Sequence, residues 1–158
     1  MAFTGGAIWA NNETSVHLHN NEYLEFTSNK ANKNNGGGAI YSKSGVLISE
    51  NDNVAFQYNG HIISASTTVR GGAIASEGEV RIQDNLDVLF DSNYAQSSTS
   101  VLDMHRGIGG AIYANQITLS DNTKIKFSNN YVGRDAYPGD YHGGALYSAE
   151  ISISSNGE

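Results

Sequence analysis

The sequence predicts an all-β chain wound as a parallel β-helix, and three observations carry that prediction. The first is a box of Gly-Gly-Ala followed by Ile or Leu that occurs five times. Its copies are Gly5-Gly6-Ala7-Ile8, Gly37-Gly38-Ala39-Ile40, Gly71-Gly72-Ala73-Ile74, Gly109-Gly110-Ala111-Ile112 and Gly143-Gly144-Ala145-Leu146, at intervals of 32, 34, 38 and 34 residues. The second is Phe-x-x-Asn, alternating with the box at Phe26/Asn29, Phe56/Asn59, Phe90/Asn93 and Phe127/Asn130. An Asn also stands five residues before each Phe, at Asn21, Asn51, Asn85 and Asn122, with Asn156 in the same place in the last copy. The third is strict apolar alternation between these fixed points, with no 3.6-residue period long enough for a helix. A fixed period of this length marks a solenoid, whose copies bury their apolar faces against one another.

Each copy reads as three short strands. The first is Gly-Ala-Ile-x-x, as in Gly110-Ala111-Ile112-Tyr113-Ala114. The second alternates at Val16/Leu18, Val46/Ile48, Val80/Ile82, Ile117/Leu119 and Ile151/Ile153, and the third at Leu24/Phe26, Val54/Phe56, Val88/Phe90 and Ile125/Phe127. Parallel pairing raises each coil by about 4.8 Å, so four to five coils make a stack about 20–25 Å tall. Ladders of Ile/Leu (Ile8, Ile40, Ile74, Ile112, Leu146) and of Phe are then expected inside. The two Asn columns are expected at corners, bonded to the turn backbone and to the Asn of the next coil. Glycine ahead of each Ala-Ile lets the chain bend and approach its neighbour closely. A right-handed coil is expected by analogy with other solenoids of this class.

The chain, 1–158, reads as one unit with repeats at about 5–36, 37–70, 71–108, 109–142 and a truncated 143–158. The segments 30–36, 60–70, 94–108 and 131–142, between Phe-x-x-Asn and the next Gly-Gly, differ in length and content, and Pro138, the one proline, falls in the last. Insertions of this kind map to loops on one face of a solenoid, frequently the binding face. No capping segment is recognisable and the fifth copy stops before its third strand, so the chain reads as part of a longer protein with exposed edges.

Composition narrows the function classes. There is no cysteine among 158 residues, so a disulfide scaffold and a thiolate metal site are excluded. Sixteen acidic against nine basic residues give a net charge of −7 without a basic run, which argues against nucleic acid or an anionic membrane as partner. No apolar stretch approaches the roughly 20 residues of a membrane helix, so no direct insertion is expected. The first residues, Met1 to Thr4, show no signal-peptide pattern. Eighteen glycines and 18 asparagines hint at disorder, but a hydrophobic fraction of 39% opposes it.

Four alternations of Gly-Gly-Ala-(Ile/Leu) with Phe-x-x-Asn, over about residues 5–156, resemble the polymorphic membrane proteins of Chlamydia. The resemblance implies an autotransporter: a secreted β-helical passenger ahead of an outer-membrane β-barrel. It implies adhesion to host cells from the bacterial surface, or from released passenger, through a receptor that is protein or glycan. The two tetrapeptides are the residues the family credits with adhesion. Neither a signal peptide nor a barrel is recognisable here, as expected of a passenger segment.

The residues themselves argue differently. Strict alternation turns each Phe and Ile inward, so both motifs read as scaffold, with binding left to the loops and outer faces. The residue after each Ile/Leu forms an outward column of Trp9, Tyr41, Ala75, Tyr113 and Tyr147, which, with Tyr94, Tyr131, Tyr137 and Tyr141, supplies the candidate exposed contacts. Stacked tyrosines that merely stabilise the sheet are the plainer reading. Glu50, Asp84 and Asp121 each precede a corner Asn one coil apart, about 5 Å, a spacing that suits a retaining glycosidase pair or a Ca²⁺ site. The matching positions hold Asn20 and Ser155, so a solvated turn explains them better. His17 and His19 point outward from one strand without further ligands, and Gly60-His61 and His142-Gly143 fall in loops. No P-loop, dinucleotide fingerprint or nucleophile elbow is present, so neither catalysis nor a cofactor is expected. The alternative is a polysaccharide-binding or polysaccharide-cleaving β-helix, and a bare solenoid edge also makes self-association through the coil ends an expectation.

Overall fold

A computed structural model of the chain describes residues 6–32, 36–63, 68–97, 106–133 and 140–157. Among the candidate residues, Gly5 and Tyr137 lie outside this set, as does the side chain of Tyr141. The first coil holds β1 (Ile8–Ala10), β2 (Val16–His19), β3 (Tyr23–Thr27) and β4 (Lys30–Ala31). The second holds β5 (Ile40–Ser42), β6 (Gly45–Ser49), β7 (Asn53–Gln57), β8 (Gly60–Ile63) and β9 (Val69–Arg70). The third runs through β10 (Ile74–Ser76), β11 (Glu79–Gln83), β12 (Asp87–Asp91), β13 (Tyr94–Ser97) and β14 (Arg106–Ile108). The fourth comprises β15 (Ile112–Tyr113), β16 (Gln116–Ser120), β17 (Lys124–Ser128), β18 (Tyr131–Gly133) and β19 (Asp140–His142), and β20 (Leu146–Tyr147) and β21 (Glu150–Ser154) begin a fifth.

Corresponding strands pair in parallel, one coil upon the next, and build five sheets: β1-β5-β10-β15-β20, β2-β6-β11-β16-β21, β3-β7-β12-β17, β4-β8-β13-β18 and β9-β14-β19. The chain is an all-β solenoid of about four turns. The register keeps like on like: Ile40, Ile74 and Ile112 align in the first sheet, and Phe26, Phe56, Phe90 and Phe127 in the third. Phe56 and Phe90 are fully buried and stack at 4.8 Å with their planes 2° apart.

Each full coil holds five strands rather than three. The segments after Phe-x-x-Asn, read from the sequence as loops, open with strands of the fourth sheet and, in the second to fourth coils, close with strands of the fifth. The coil has two lobes because its backbone meets itself. A Cβ on Gly38 would overlap the backbone of Gly60, and one on Gly72 or Gly110 would overlap that of Tyr94 or Tyr131. The second glycine of each of the first four boxes thus lies against the residue that follows the Phe-x-x-Asn corner. It also lies beneath the next box, since the same Cβ on Gly72 would overlap the carbonyl oxygen of Gly110. Only glycine permits such an approach.

The first three sheets enclose the main core of Ile, Val, Phe and Ala. The last two enclose a small one of Ile63, Val69 and Ala95, with Val132 against it.

Candidate functional site

Two Asn ladders turn the corners of the main lobe. In the first, the side-chain amide of Asn21 donates to Oδ1 of Asn51 at 2.8 Å, Asn51 to Asn85 at 2.9 Å, Asn85 to Asn122 at 2.8 Å and Asn122 to Asn156 at 2.8 Å. In the second, Asn29, Asn59, Asn93 and Asn130 are joined likewise at 2.9–3.0 Å. Every ladder Asn except Asn29 is also seen to donate to the backbone, as Asn93 does to the carbonyl of Phe56 at 2.8 Å. Within each ladder the oxygen accepts from the Asn of the preceding coil and the nitrogen donates to the Asn of the next, so the ladder propagates with a fixed polarity.

The residue before every corner Asn is left-handed. Asn20, Glu50, Asp84, Asp121 and Ser155 have φ between 52° and 57°, and Ser28, Tyr58, Ser92 and Asn129 between 51° and 59°. Glu50, Asp84 and Asp121 are thus exposed turn residues whose conformation, not charge, is the shared property. Among the described residues, no group of three or more His, Asp or Glu lies close enough to hold a metal ion.

The motif residues of the central coils are out of reach of solvent. Ala39, Ile40, Phe56, Ala73, Ile74, Phe90, Ala111 and Ile112 are buried, as are Asn59 and Asn93. Exposure returns only at the ends, at Gly6 and Ala7 in the first coil and at Gly143 and Gly144 in the last.

The outward aromatic column is less open than the sequence led us to expect. Trp9 is 50% exposed and Tyr147 37%, but Tyr113 is half-buried and Tyr41 only 5% exposed. Tyr41 donates its hydroxyl to Glu77 at 2.8 Å. Burial, then the hydrogen bond and charge of Glu77, push its pKa up to about 12 against the opposing charge of Arg70. The Arg70 guanidinium stands 5.1 Å over the Tyr113 ring, so it reaches both tyrosines that flank Ala75 in the column. Tyr113 and Tyr147 stack on each other at 6.0 Å, which turns their faces to neighbours and their edges outward.

Tyr94 and Tyr131 stack at 5.5 Å, and the Tyr94 ring fills the place a side chain on Gly60 would take. His61, read as a loop residue, is buried in β8 with Nδ1 3.0 Å from the Arg70 amide nitrogen and 2.7 Å from its carbonyl oxygen. His17 and His19 point outward in separate columns, and His19 accepts at Nδ1 from the Asn20 amide at 2.8 Å. The outer face of the third sheet escaped notice in the sequence. There Tyr23, Glu25, Asn53, Ala55, Asp87, Leu89, Lys124 and Lys126 border a shallow depression of about 330 Å³. No helix among the described residues is long and apolar enough to cross a membrane.

The geometry defines a solenoid segment of repeated coils whose shared motifs build the scaffold and whose non-repeating residues occupy the second lobe and the outer faces. The Chlamydia polymorphic membrane protein repeat matches residues 23–43 and 87–115, each stretch running from a Phe-x-x-Asn corner through the next Gly-Gly-Ala box. The chain belongs to that family. It is 32% identical over 148 residues to probable outer membrane protein pmp12 of Chlamydia pneumoniae, a match that takes in 90% of this chain and 26% of that protein. Probable outer membrane protein pmp6 of the same species is 30% identical, with 96% of this chain and 11% of that protein covered. For probable outer membrane protein PmpF of Chlamydia trachomatis serovar D the identity is 30%, covering 80% of this chain and 12% of that protein. The chain thus spans about a quarter of the length of these relatives or less. No solved structure matches it significantly.

Proposed function

We propose that this segment belongs to the passenger of an autotransporter on the chlamydial surface and attaches the bacterium to host cells through its second lobe and outer faces. The relatives carry the name of outer membrane proteins, which supports a surface location and gives no support to an enzyme. The observation that carries the rest of the reading is the burial of Phe56, Phe90, Ile74 and Ala73. A receptor cannot touch them without opening the coil, so the two tetrapeptides serve adhesion by holding other residues in place. A polysaccharide platform is less favoured, because the aromatic column spends its ring faces on its own neighbours.

The test is binding of the purified chain to host cells after residues 33–35, 64–67, 98–105 and 134–139 are replaced in turn by Gly-Ser linkers of equal length. Phe56→Leu serves as the core control. At least one replacement should reduce attachment while the control retains it. Attachment indifferent to every replacement, or lost in a folded Phe56→Leu chain, would refute the reading.

A further inference from the structure

We propose that the outer face of the third sheet docks a second copy of this chain, about a two-fold axis that lies along the strands between β7 and β12. The inference is independent of the adhesion reading and rests on the pattern of that face. The third residues of β3, β7, β12 and β17 form the column Glu25, Ala55, Leu89, Lys126, and the first residues form Tyr23, Asn53, Asp87, Lys124. One end of the face is acidic, the other basic, and the middle pairs a small apolar residue with a large one.

Rotation about the proposed axis keeps strand direction and reverses strand order, so β3 meets β17 and β7 meets β12 of the second copy. Glu25 then faces Lys126, and Ala55, with the depression beside it, faces Leu89. Tyr23 faces Lys124, which is ion-paired at 2.8 Å with Asp87 of its own copy, and Asn53 faces that Asp87. Both halves repeat these contacts, as an isologous interface requires. The other two-fold that brings this face onto itself runs along the solenoid axis. It sets Glu25 on Glu25, Lys126 on Lys126 and Asp87 on Asp91, and like charges directly opposite oppose pairing. Charge therefore selects a single arrangement. Four strands of five residues span roughly 20 by 17 Å, well below the ~800 Å² per partner of a standard interface, so the contact is weak and belongs to crowded surfaces.

Sedimentation equilibrium of the chain up to about 1 mM, with the variants Glu25→Lys and Lys126→Glu, tests the proposal. Both residues are exposed, so circular dichroism should stay unchanged. The chain should self-associate reversibly. Either variant should weaken association about tenfold or more, since the two-fold turns two attractive pairs into two repulsive ones. An equimolar mixture should recover it, because only the mixed pair has opposite charges at both sites. Net charge alone cannot imitate this: it moves from −7 to −5 in Glu25→Lys and to −9 in Lys126→Glu, so self-repulsion would weaken one variant and strengthen the other. A chain monomeric at every concentration, single variants that associate like the parent, or a mixture no better than its components would overturn the proposal. Association abolished instead by Ile153→Asp would also overturn it, in favour of contact through the coil end, where Ile151 and Ile153 are exposed.

Discussion

Removal of Asn85 tests whether the corner ladder holds the coils together or only decorates them. Its side chain is 1% exposed. The amide nitrogen donates towards Oδ1 of Asn122 at 2.8 Å, the carbonyl of Gln83 at 2.9 Å and that of Ile48 at 3.1 Å. Its oxygen accepts from the backbone N–H of Asn51 at 3.1 Å and the Asn51 side chain at 2.9 Å. Asn85→Ala leaves the buried Asn51 N–H without an acceptor and removes the other bonds. An orphaned donor costs about 1–3 kcal/mol and each net bond about 1 kcal/mol, so the loss should be about 3–4 kcal/mol. Urea denaturation should show it as a midpoint lowered by about 1–3 M, against a change within about 0.5 kcal/mol for exposed Asn53→Ala. Asn85→Asp sharpens the test. The carboxylate still accepts from Asn51 but turns an oxygen towards three acceptors, so at neutral pH it should be worse than Ala. Burial among acceptors raises the folded-state pKa of that Asp, so stability is regained as pH falls through it and is complete below the unfolded value near ~3.9. An Ala variant within about 1 kcal/mol of the parent, or an Asp variant sturdier than Ala at pH 7, would refute the argument.

Four further outcomes follow from the same geometry. Phe56→Ala, which breaks a stack of fully buried rings, should cost about 3–5 kcal/mol in a denaturant titration. Tyr58→Gly relieves a bulky residue at φ 56° and should raise stability by about 0.5–1 kcal/mol after the entropy of glycine is deducted, read as a higher urea midpoint. Gly72→Ala places a methyl group inside the contact between adjacent boxes and should prevent native folding, seen as loss of the sheet signal in circular dichroism. The Tyr41 pKa of about 12 lies above the unfolded value near ~10, so its contribution is complete below pH ~10 and is lost as pH rises through the folded value. Tyr41→Phe should remove that alkaline dependence from the unfolding midpoint.

What the sequence made legible was whatever recurs in both chemistry and position. The Ile, Phe and Asn columns recur in both, and the structure places them as ladders. The fourth and fifth sheets do not. Their strands run to only two to four residues, too short to show alternation, and one column changes from Lys30 to Gly60 to Tyr94 to Tyr131. Gly60 and Tyr94 are complementary there, a ring filling the space of an absent side chain, and complementarity does not look like repetition. The left-handed corner positions escape for a related reason, since Asn20, Glu50, Asp84, Asp121 and Ser155 share a φ and not a chemistry. The burial of Tyr41 was not legible because Arg70, at the far end of its own coil, and Glu77, in a turn of the next, act on it from distant points of the sequence.

The two motifs occur together because they close the same ring. From Gly6 to Lys30, Gly38 to Gly60, Gly72 to Tyr94 and Gly110 to Tyr131, the main lobe takes 24, 22, 22 and 21 residues between its touching ends. The second lobe, from Gly60 to Gly72 and from Tyr94 to Gly110, takes 12 and then 16. A change of that size costs only about 0.3 kcal/mol in loop closure, a tenth of what the loss of one corner Asn should cost. The main-lobe differences all fall between the first and second strands of a coil, and from the second strand to the second corner the count is fixed, because an added residue there reverses the faces of a strand or moves a corner off its ladder. The second lobe and the outer faces can therefore change at little cost to the fold, whereas both tetrapeptides are held by its geometry. The fold alone accounts for their recurrence from coil to coil. The recurrence of the tetrapeptides is therefore no sign that a receptor reads them.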